Sequence, residues 1–265
     1  MSISWIFNRK EHAKNASVPS LNLFLILLFL LKTQLIYSDS IYYNNKYLHT
    51  QEGINFSSKQ LILPAAFITI GTIGLIEKDL DRKIRDEFAD HQGRTKIDNI
   101  LPFLAPGAVY ILNWSQVQGK HNFMDRTVLL GTSAAITGVL IYSTKYSVKR
   151  DRPDESGSES FPSMHTAIAF MGAEFLRQEF GDQSIWYGIA GYTFATGTGL
   201  LRMYNNRHWF SDVAAGAGIG ILSTKIAYWI YPEIRKLYAG TKLDGFQFMP
   251  FLSSNDFGVS ITARF

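Results

Sequence analysis

Six stretches with few or no charged residues follow one another between residues 61 and 231. Each is long enough for a helix and too long for most strands. They are Leu61–Ile76, Asn99–Ser115, Thr127–Thr144, Ser160–Ala173, Gln183–Leu201 and Val213–Tyr231. Glycines recur within them, which suits close packing of helices in lipid or in a tight bundle. The pattern predicts an all-α fold, a six-helix bundle that is either embedded in a membrane or tightly packed on its own.

Two further segments depart from this pattern. Between the first two stretches, Leu80, Ile84 and Phe88 recur at a spacing of four among charged residues, which predicts an amphipathic surface helix. We favour a solvated helical connection over a membrane-interface role for it. From Phe257 to Phe265 every second residue is apolar, and a hairpin that pairs this strand with residues 246–248 is expected. One hairpin cannot close a barrel, so we read it as a small appended sheet.

The amino terminus has the layout of a signal peptide. Basic residues at positions 9, 10 and 14 precede the apolar run Leu21–Leu31, and Ser38 and Ser40 offer cleavage points. The alternative is an uncleaved anchor over Leu21–Tyr37. We therefore divide the chain into a signal peptide or anchor (1–38), a polar lead-in (39–60), a helical domain (61–231) and a carboxyl-terminal extension with the hairpin (232–265).

Composition narrows the possible chemistry. The chain of 265 residues is 46% hydrophobic and 18% charged, which excludes disorder. It contains no cysteine, so disulfides, thiolate metal sites and cysteine nucleophiles are excluded. Its net charge of +4 is too weak to indicate nucleic-acid binding.

Three polar clusters lie at the edges of the apolar stretches. In the first, Lys145 and Arg152, followed by Pro153, offer a point charge and a planar fork suited to an oxyanion. In isolation, basic residues at a helix end are more commonly there for the helix dipole. In the second, Pro162 and Ser163 are helix-start signals. A helix N-terminus binds phosphate groups readily, and His165 would stand beside it.

The third cluster joins the fifth stretch to the sixth and contains Arg202, His208 and Asp212. If a helix begins near His208, then His208 and Asp212 share one face, and the carboxylate can accept the ring N–H. The other ring nitrogen is then free to act as a nucleophile or ligand. Alternatively, Asp212 is an ordinary carboxylate of a first helical turn. In an up-and-down bundle the loops with these clusters lie at one end, and together they fit phosphoryl chemistry.

The clusters resemble the three signatures of the type-2 phosphatidic acid phosphatase and vanadium haloperoxidase superfamily. Those signatures read Lys-x6-Arg-Pro, Pro-Ser-Gly-His and Ser-Arg-x5-His-x3-Asp. The chain matches them from Lys145 to Pro153, from Pro162 to His165 and from Arg202 to Asp212. Met164 stands where the second signature has Gly, and Leu201 stands where the third has Ser.

The resemblance implies a metal-independent phosphatase without a cofactor. In it, His208 is the nucleophile that forms a phosphohistidine, Asp212 orients it, and His165 is the general acid and base. The residues expected to bind the phosphate are Lys145, Arg152, Ser163, Met164 and Arg202.

The family includes membrane phosphatases that act on lipid phosphates or polyprenyl diphosphates and exported soluble acid phosphatases. Thr127–Thr144 and Gln183–Leu201 hold 18 and 19 residues without a charge, near the length that spans a bilayer, which favours the lipid branch. We expect a membrane-associated enzyme of a bacterial-type cell envelope, with its active site facing the periplasm. The alternatives are a soluble acid phosphatase of broad specificity and a catalytically silent membrane scaffold.

Overall fold

The computed structural model describes residues 57–89 and 95–238 in full and the backbone of 246–252 and 257–263. This part of the chain contains seven α-helices. They are α1 (Ile62–Ile76), α2 (Lys78–Phe88), α3 (Leu104–Trp114), α4 (Phe123–Val148), α5 (Met164–Phe180), α6 (Ile185–Tyr204) and α7 (Phe210–Tyr238). Three short 3-10 turns accompany them at Ser58–Leu61, Ile97–Asn99 and Leu101–Phe103. The prediction of a predominantly helical protein is confirmed.

Each apolar stretch contains a helix, but the bounds differ in places. Helix α5 begins at Met164 rather than at Ser160, because the hydroxyl of Ser163 accepts a hydrogen bond from the backbone and caps the helix. The same helix continues past Glu174 to Phe180. Glu174 is fully buried there and is paired with Lys225 at 2.8 Å, so its charge is neutralised inside the bundle.

Helix α7 packs closely against its neighbours through small residues. A Cβ atom on Gly71 of α1 would lie 2.6 Å from the backbone nitrogen of Ala215, and one on Gly74 would lie 2.8 Å from Cβ of Ser211. On α7 itself, a Cβ atom on Gly216 would lie 2.5 Å from the carbonyl oxygen of Ser163. The glycines that the sequence places in the apolar stretches thus permit backbone contacts that any side chain would prevent.

Three of the described helical segments are long and apolar enough to cross a membrane: Ser58–Ile76, Phe123–Val148 and Phe210–Tyr238. The surface of the bundle also carries many large apolar side chains, such as Ile76 (72% exposed) and Val139 (69% exposed). Such a surface is typical of helices that face lipid.

The carboxyl-terminal backbone forms two antiparallel strands, β1 (Phe246–Leu252) and β2 (Phe257–Ala263), with Phe248 opposite Ile261. Residues 253–256, where the predicted turn falls, lie outside the described residues, so the hairpin stays a prediction. The signal peptide or anchor and most of the polar lead-in also lie outside them. The last helix continues beyond residue 231, where we placed a boundary, and Pro232 lies inside it.

Candidate active site

The three sequence clusters meet at one end of the bundle. The loop after α4 contacts the start of α7, where the hydroxyl of Ser160 donates a hydrogen bond to Oδ2 of Asp212. The backbone N–H of Ser163 donates to the carbonyl oxygen of Asp212 at 3.0 Å. The structure therefore brings together residues that lie about fifty positions apart in the chain.

His208 and Asp212 form a buried pair. Nδ1 of His208 lies 3.4 Å from Oδ2 of Asp212, although α7 begins only at Phe210 and His208 precedes it. Asp212 also accepts the backbone N–H of Trp209 at 2.9 Å, so it is both a first-turn carboxylate and a partner of the imidazole. Because a carboxylate only accepts hydrogen bonds, Nδ1 carries the proton and Nε2 keeps its lone pair. Burial lowers the pKa of His208, and Asp212 opposes that effect.

His165 lies in the first turn of α5. Ser163 caps this helix and accepts hydrogen bonds from the backbone N–H of Thr166 at 3.4 Å and from its hydroxyl at 2.9 Å. The N–H groups of Met164 and His165 have no acceptor within the helix, as at any helix start. Burial, followed by the charges of Arg202 and His208, lowers the pKa of His165 to about 4. His165 is therefore neutral near pH 7 in the empty site.

Two arginines of the candidate site have a buried N–H group without an acceptor within the described residues. Nε of Arg152 and Nε of Arg202 are both buried, and no hydrogen-bond partner lies near either atom within the described residues. An unsatisfied buried donor costs about 1–3 kcal/mol. An oxyanion bound beside these guanidinium groups would remove that cost.

The other predicted phosphate ligands have protein partners. Nζ of Lys145 donates to the carbonyl oxygens of Glu159 and Ser160, so this lysine also supports the loop that follows α4. Nη1 of Arg202 donates to Oδ2 of Asp98 at 2.7 Å. The hydroxyl of Ser163 is fully buried at the start of α5.

The structure adds residues that sequence reasoning missed. Asp98, Arg150 and Ser160 contact members of the predicted site, and Asp81 in turn contacts Arg150. Arg150 lies two positions before Arg152 in the same basic cluster, which is a signal that could have drawn attention to it. Asp81 and Asp98 carry no comparable signal, because each lies more than sixty positions from its partner.

Helix α2 is more than a solvated connection, and that expectation is wrong for one of its faces. Asp81 is only 1% exposed and is bound to Arg150 and Ser211 beside the His208–Asp212 pair. The apolar Leu80 and Phe88 on the same helix are 51% and 41% exposed. The helix therefore buries a carboxylate against the site and leaves apolar side chains at the surface.

Part of the chain matches a known protein family. The model of the PAP2 superfamily matches residues 126–236, which contain all three clusters. The match falls on the region that carries the three motifs, and it confirms their resemblance to this superfamily.

Two curated relatives were found. Over 137 residues the chain is 39% identical to the lipid A 1-phosphatase of Porphyromonas gingivalis, covering 51% of this chain and 31% of the relative. Over 75 residues it is 36% identical to the bacitracin transport permease protein BcrC of Bacillus licheniformis, covering 28% of this chain and 35% of the relative. The chain thus spans about a third of the length of these relatives.

Two solved structures are similar in part. The crystal structure of Aquifex aeolicus LpxE matches with a TM-score of 0.42 and 23% identity, covering 57% of this chain and 93% of that one. A PAP2 type phosphatidylglycerolphosphate phosphatase from Bacillus subtilis matches with a TM-score of 0.36 and 17% identity, covering 80% of this chain and 96% of that one.

Proposed function

We propose that this protein is a membrane-associated phosphatase that hydrolyses a lipid phosphate or polyprenyl diphosphate through a phosphohistidine intermediate on His208. The observation that carries the proposal is the pair of buried, unsatisfied Nε–H groups on Arg152 and Arg202 in the same site as the buried His208–Asp212 pair. Donors of this kind match the oxygens of a phosphoryl group. The match of residues 126–236 to the PAP2 superfamily supports the same chemistry.

In the first step, the lone pair on Nε2 of His208 attacks phosphorus while Nδ1–H remains bonded to Asp212. The bond from phosphorus to the leaving oxygen breaks, and that oxygen takes a proton from His165. Because His165 is neutral in the empty site, its proton arrives with the substrate or is taken up when the anion binds. Negative charge on the equatorial oxygens is stabilised by Arg152, Arg202 and Lys145.

In the second step, His165 removes a proton from a water molecule, which attacks the phosphohistidine. The bond from phosphorus to Nε2 breaks, and inorganic phosphate leaves. The backbone N–H of Met164 and the hydroxyl of Ser163 complete the proposed phosphate ligands. No group of three His, Asp or Glu side chains lies together as metal ligands in the described residues, and we propose that the reaction needs no metal.

The substrate class follows from the surface of the bundle. Large apolar side chains are exposed on several helices, and three helical segments can cross a membrane by length and composition. A relative that is 39% identical over its match is a lipid A 1-phosphatase. We therefore propose a lipid phosphate as substrate, with phosphatidate, phosphatidylglycerol phosphate, undecaprenyl diphosphate and lipid A as candidates.

A competition panel tests this proposal. The purified full chain in detergent is given each lipid candidate together with a water-soluble phosphate monoester, and phosphate release is measured. We expect the highest kcat/KM on one of the lipids. A much higher value on the soluble ester would favour the exported acid phosphatase, and no release from any substrate would favour the silent scaffold.

Chelation tests the absence of a metal. We expect EDTA to leave turnover unchanged and vanadate to inhibit it, because vanadate can occupy the phosphate site. Loss of turnover in EDTA with recovery in magnesium would contradict the histidine mechanism.

A further inference from the structure

Arg150 connects two carboxylates beside the candidate site. Its Nη1 donates to Oδ1 of Asp212 at 2.9 Å, and its Nη2 donates to Oδ2 of Asp81 at 2.7 Å. Nη1 also donates to the hydroxyl of Ser211 at 2.5 Å, and the guanidinium carbon lies 5.2 Å from the centre of the Trp209 ring. The side chain is only 11% exposed. The guanidinium is therefore held by protein groups on several sides.

Asp81 fixes the other end of this connection. Besides Arg150, it accepts the backbone N–H of Ser211 at 3.0 Å and the Ser211 hydroxyl at 2.5 Å. Ser211 lies in the first turn of α7, next to Asp212. Helix α2 is thus bonded through Asp81 both to the start of α7 and to the arginine that contacts Asp212.

We propose that Arg150 and Asp81 are positioning residues for the catalytic pair, so that α2 forms part of the catalytic machinery. Arg150 binds Oδ1 of Asp212 and so holds the carboxylate in the orientation in which Oδ2 faces Nδ1 of His208. The positive charge also keeps the Asp212 carboxylate ionised, so that the proton stays on His208. This inference rests on the proposed function of His208 as nucleophile.

The contacts separate Arg150 from the phosphate ligands. Both of its terminal nitrogens already have acceptors from the protein, whereas Nε of Arg152 and Nε of Arg202 have none. Arg150 should therefore affect the chemical step rather than the binding of substrate. A lysine at this position carries the charge but lacks the planar fork, so it cannot bond both carboxylates in the same way.

The experiment compares Arg150→Gln, Arg150→Lys and Asp81→Asn with Arg126→Gln as a matched control. Arg126 is 1% exposed, pairs with Glu179 at 3.2 Å, and lies near the beginning of α4. It is separated from Lys145 by about 28 Å along the helix at 1.5 Å per residue. The control therefore breaks a buried ion pair far from the site.

We measure kcat, KM and the thermal midpoint of the full chain in detergent. Both glutamine variants should unfold at a lower temperature, since each removes a buried arginine that pairs with a buried carboxylate. Of these two glutamine variants, only Arg150→Gln should lower kcat. We expect a loss of about tenfold to a hundredfold, the range found when an orienting partner is removed. KM should stay within about twofold. Arg150→Lys should recover part of kcat, and Asp81→Asn should lower kcat less than Arg150→Gln.

Two results would overturn the proposal. One is an unchanged kcat in Arg150→Gln per folded molecule, and the other is a raised KM with unchanged kcat, which would make Arg150 a substrate ligand. If Arg150→Gln does not fold, the same two criteria for kcat and KM are applied to Arg150→Lys and Asp81→Asn.

A second measurement separates this inference from the proposed function. If the wild-type chain releases no phosphate, the function proposal fails, and nitrogen NMR of the labelled imidazoles still reports the His208 tautomer. We then expect Arg150→Gln to change the His208 signals while Arg126→Gln leaves them unchanged. Unchanged His208 signals in both variants would refute the positioning role.

Discussion

At the scale of single residues, the site buries polar and charged side chains, and some of them have a hydrogen-bonding or charged partner while others do not. His208 is 4% exposed and Asp212 is fully buried, yet each has a partner in the other. Arg152 and Arg202 are different, because each keeps a buried Nε–H without an acceptor within the described residues. These two donors are the part of the site that a bound anion would complete.

The two histidines should respond differently to removal. His208→Ala should lose the covalent intermediate and essentially all turnover, because it removes the proposed nucleophile. His165→Ala should reduce turnover by about 100-fold to 10,000-fold, the usual contribution of a general acid and base. A substrate with a good leaving group should still phosphorylate His208 in this variant, and the phosphoenzyme should then hydrolyse slowly. The measurement is acid-labile phosphate on the protein after rapid quenching.

Asp212→Asn is a milder change than either alanine variant, since it keeps the shape of the side chain. It should lower turnover by disturbing the tautomer of His208. Trapped phosphoenzyme in His208→Ala would reverse the assignment of the nucleophile.

The pKa of His165 sets the expected pH dependence. Burial lowers that pKa to about 4, so near pH 7 the proton that the proposed mechanism gives to the leaving group arrives with the substrate or is taken up when the anion binds. A phosphate monoester, like a phosphorylated side chain, loses its second proton with a pKa of about 6. We expect kcat/KM to fall about tenfold per pH unit above that value. The profile is measured with a poor leaving group.

His165→Ala with a good leaving group is the control, and its alkaline limb should be flatter. A wild-type kcat/KM that stays constant from pH 6 to pH 9 would mean that His165 does not supply the proton in this way.

At the scale of elements, helix α7 positions the site because its glycines admit neighbouring backbones. Gly216 lies against the Ser163 carbonyl, one residue before α5 begins. The same helix supplies Asp212 in its first turn. The distance between α7 and the start of α5 thus sets where His165 stands relative to the His208–Asp212 pair.

Gly216→Ala should therefore damage both stability and activity. Its Cβ atom would lie 2.5 Å from the Ser163 carbonyl oxygen, so the Ser163 segment must shift. We expect a loss of about 1–3 kcal/mol in the free energy of unfolding, as for other overpacked sites, and at least about a tenfold loss of kcat because small misplacements at a site are costly. Thermal unfolding and steady-state kinetics in detergent provide the measurement.

Gly138→Ala on α4 is the matched control, because apart from the backbone of α4 itself no atom lies within 4 Å of the position its Cβ would take. It should be neutral or stabilising by up to about 1 kcal/mol, the helix preference of Ala over Gly. Equal behaviour of the two variants would show that the close approach of α7 to Ser163 is unimportant.

At the scale of the whole molecule, membrane orientation is a testable consequence of the proposal. The chain has no cysteine, so single cysteines can be introduced as accessibility markers. Ser158 is exposed in the loop after α4 beside the site, and Asp182 is exposed in the turn between α5 and α6. These positions flank α5, which is about 25 Å long at 1.5 Å per residue.

We expect a membrane-impermeant maleimide to label Ser158→Cys on intact cells and Asp182→Cys only after the inner membrane is permeabilised. This result would agree with an active site that faces the periplasm. The reverse labelling would place the site on the cytoplasmic side, and labelling of both cysteines on intact cells would contradict a spanning bundle.

The sequence by itself determined the helical content and the three motif clusters. Both depend on local patterns, since apolar length selects a helix and the spacing within a motif brings His208 and Asp212 within reach of each other. The cap on α5 was equally local, because Ser163 bonds to Thr166 three residues later. Such features are set by the backbone and a few neighbouring residues.

Only the tertiary structure decided which distant charges pair. Arg150 meets Asp81 across 69 positions, and Arg202 meets Asp98 across 104. In the sequence, Asp81 is one of several acidic residues on a charged helix, and nothing local distinguishes it from Asp79 or Asp86. Its burial depends on how α2 lies against the start of α7. That arrangement arises from the packing of whole helices, so the partners of the catalytic pair become visible only when the chain is folded.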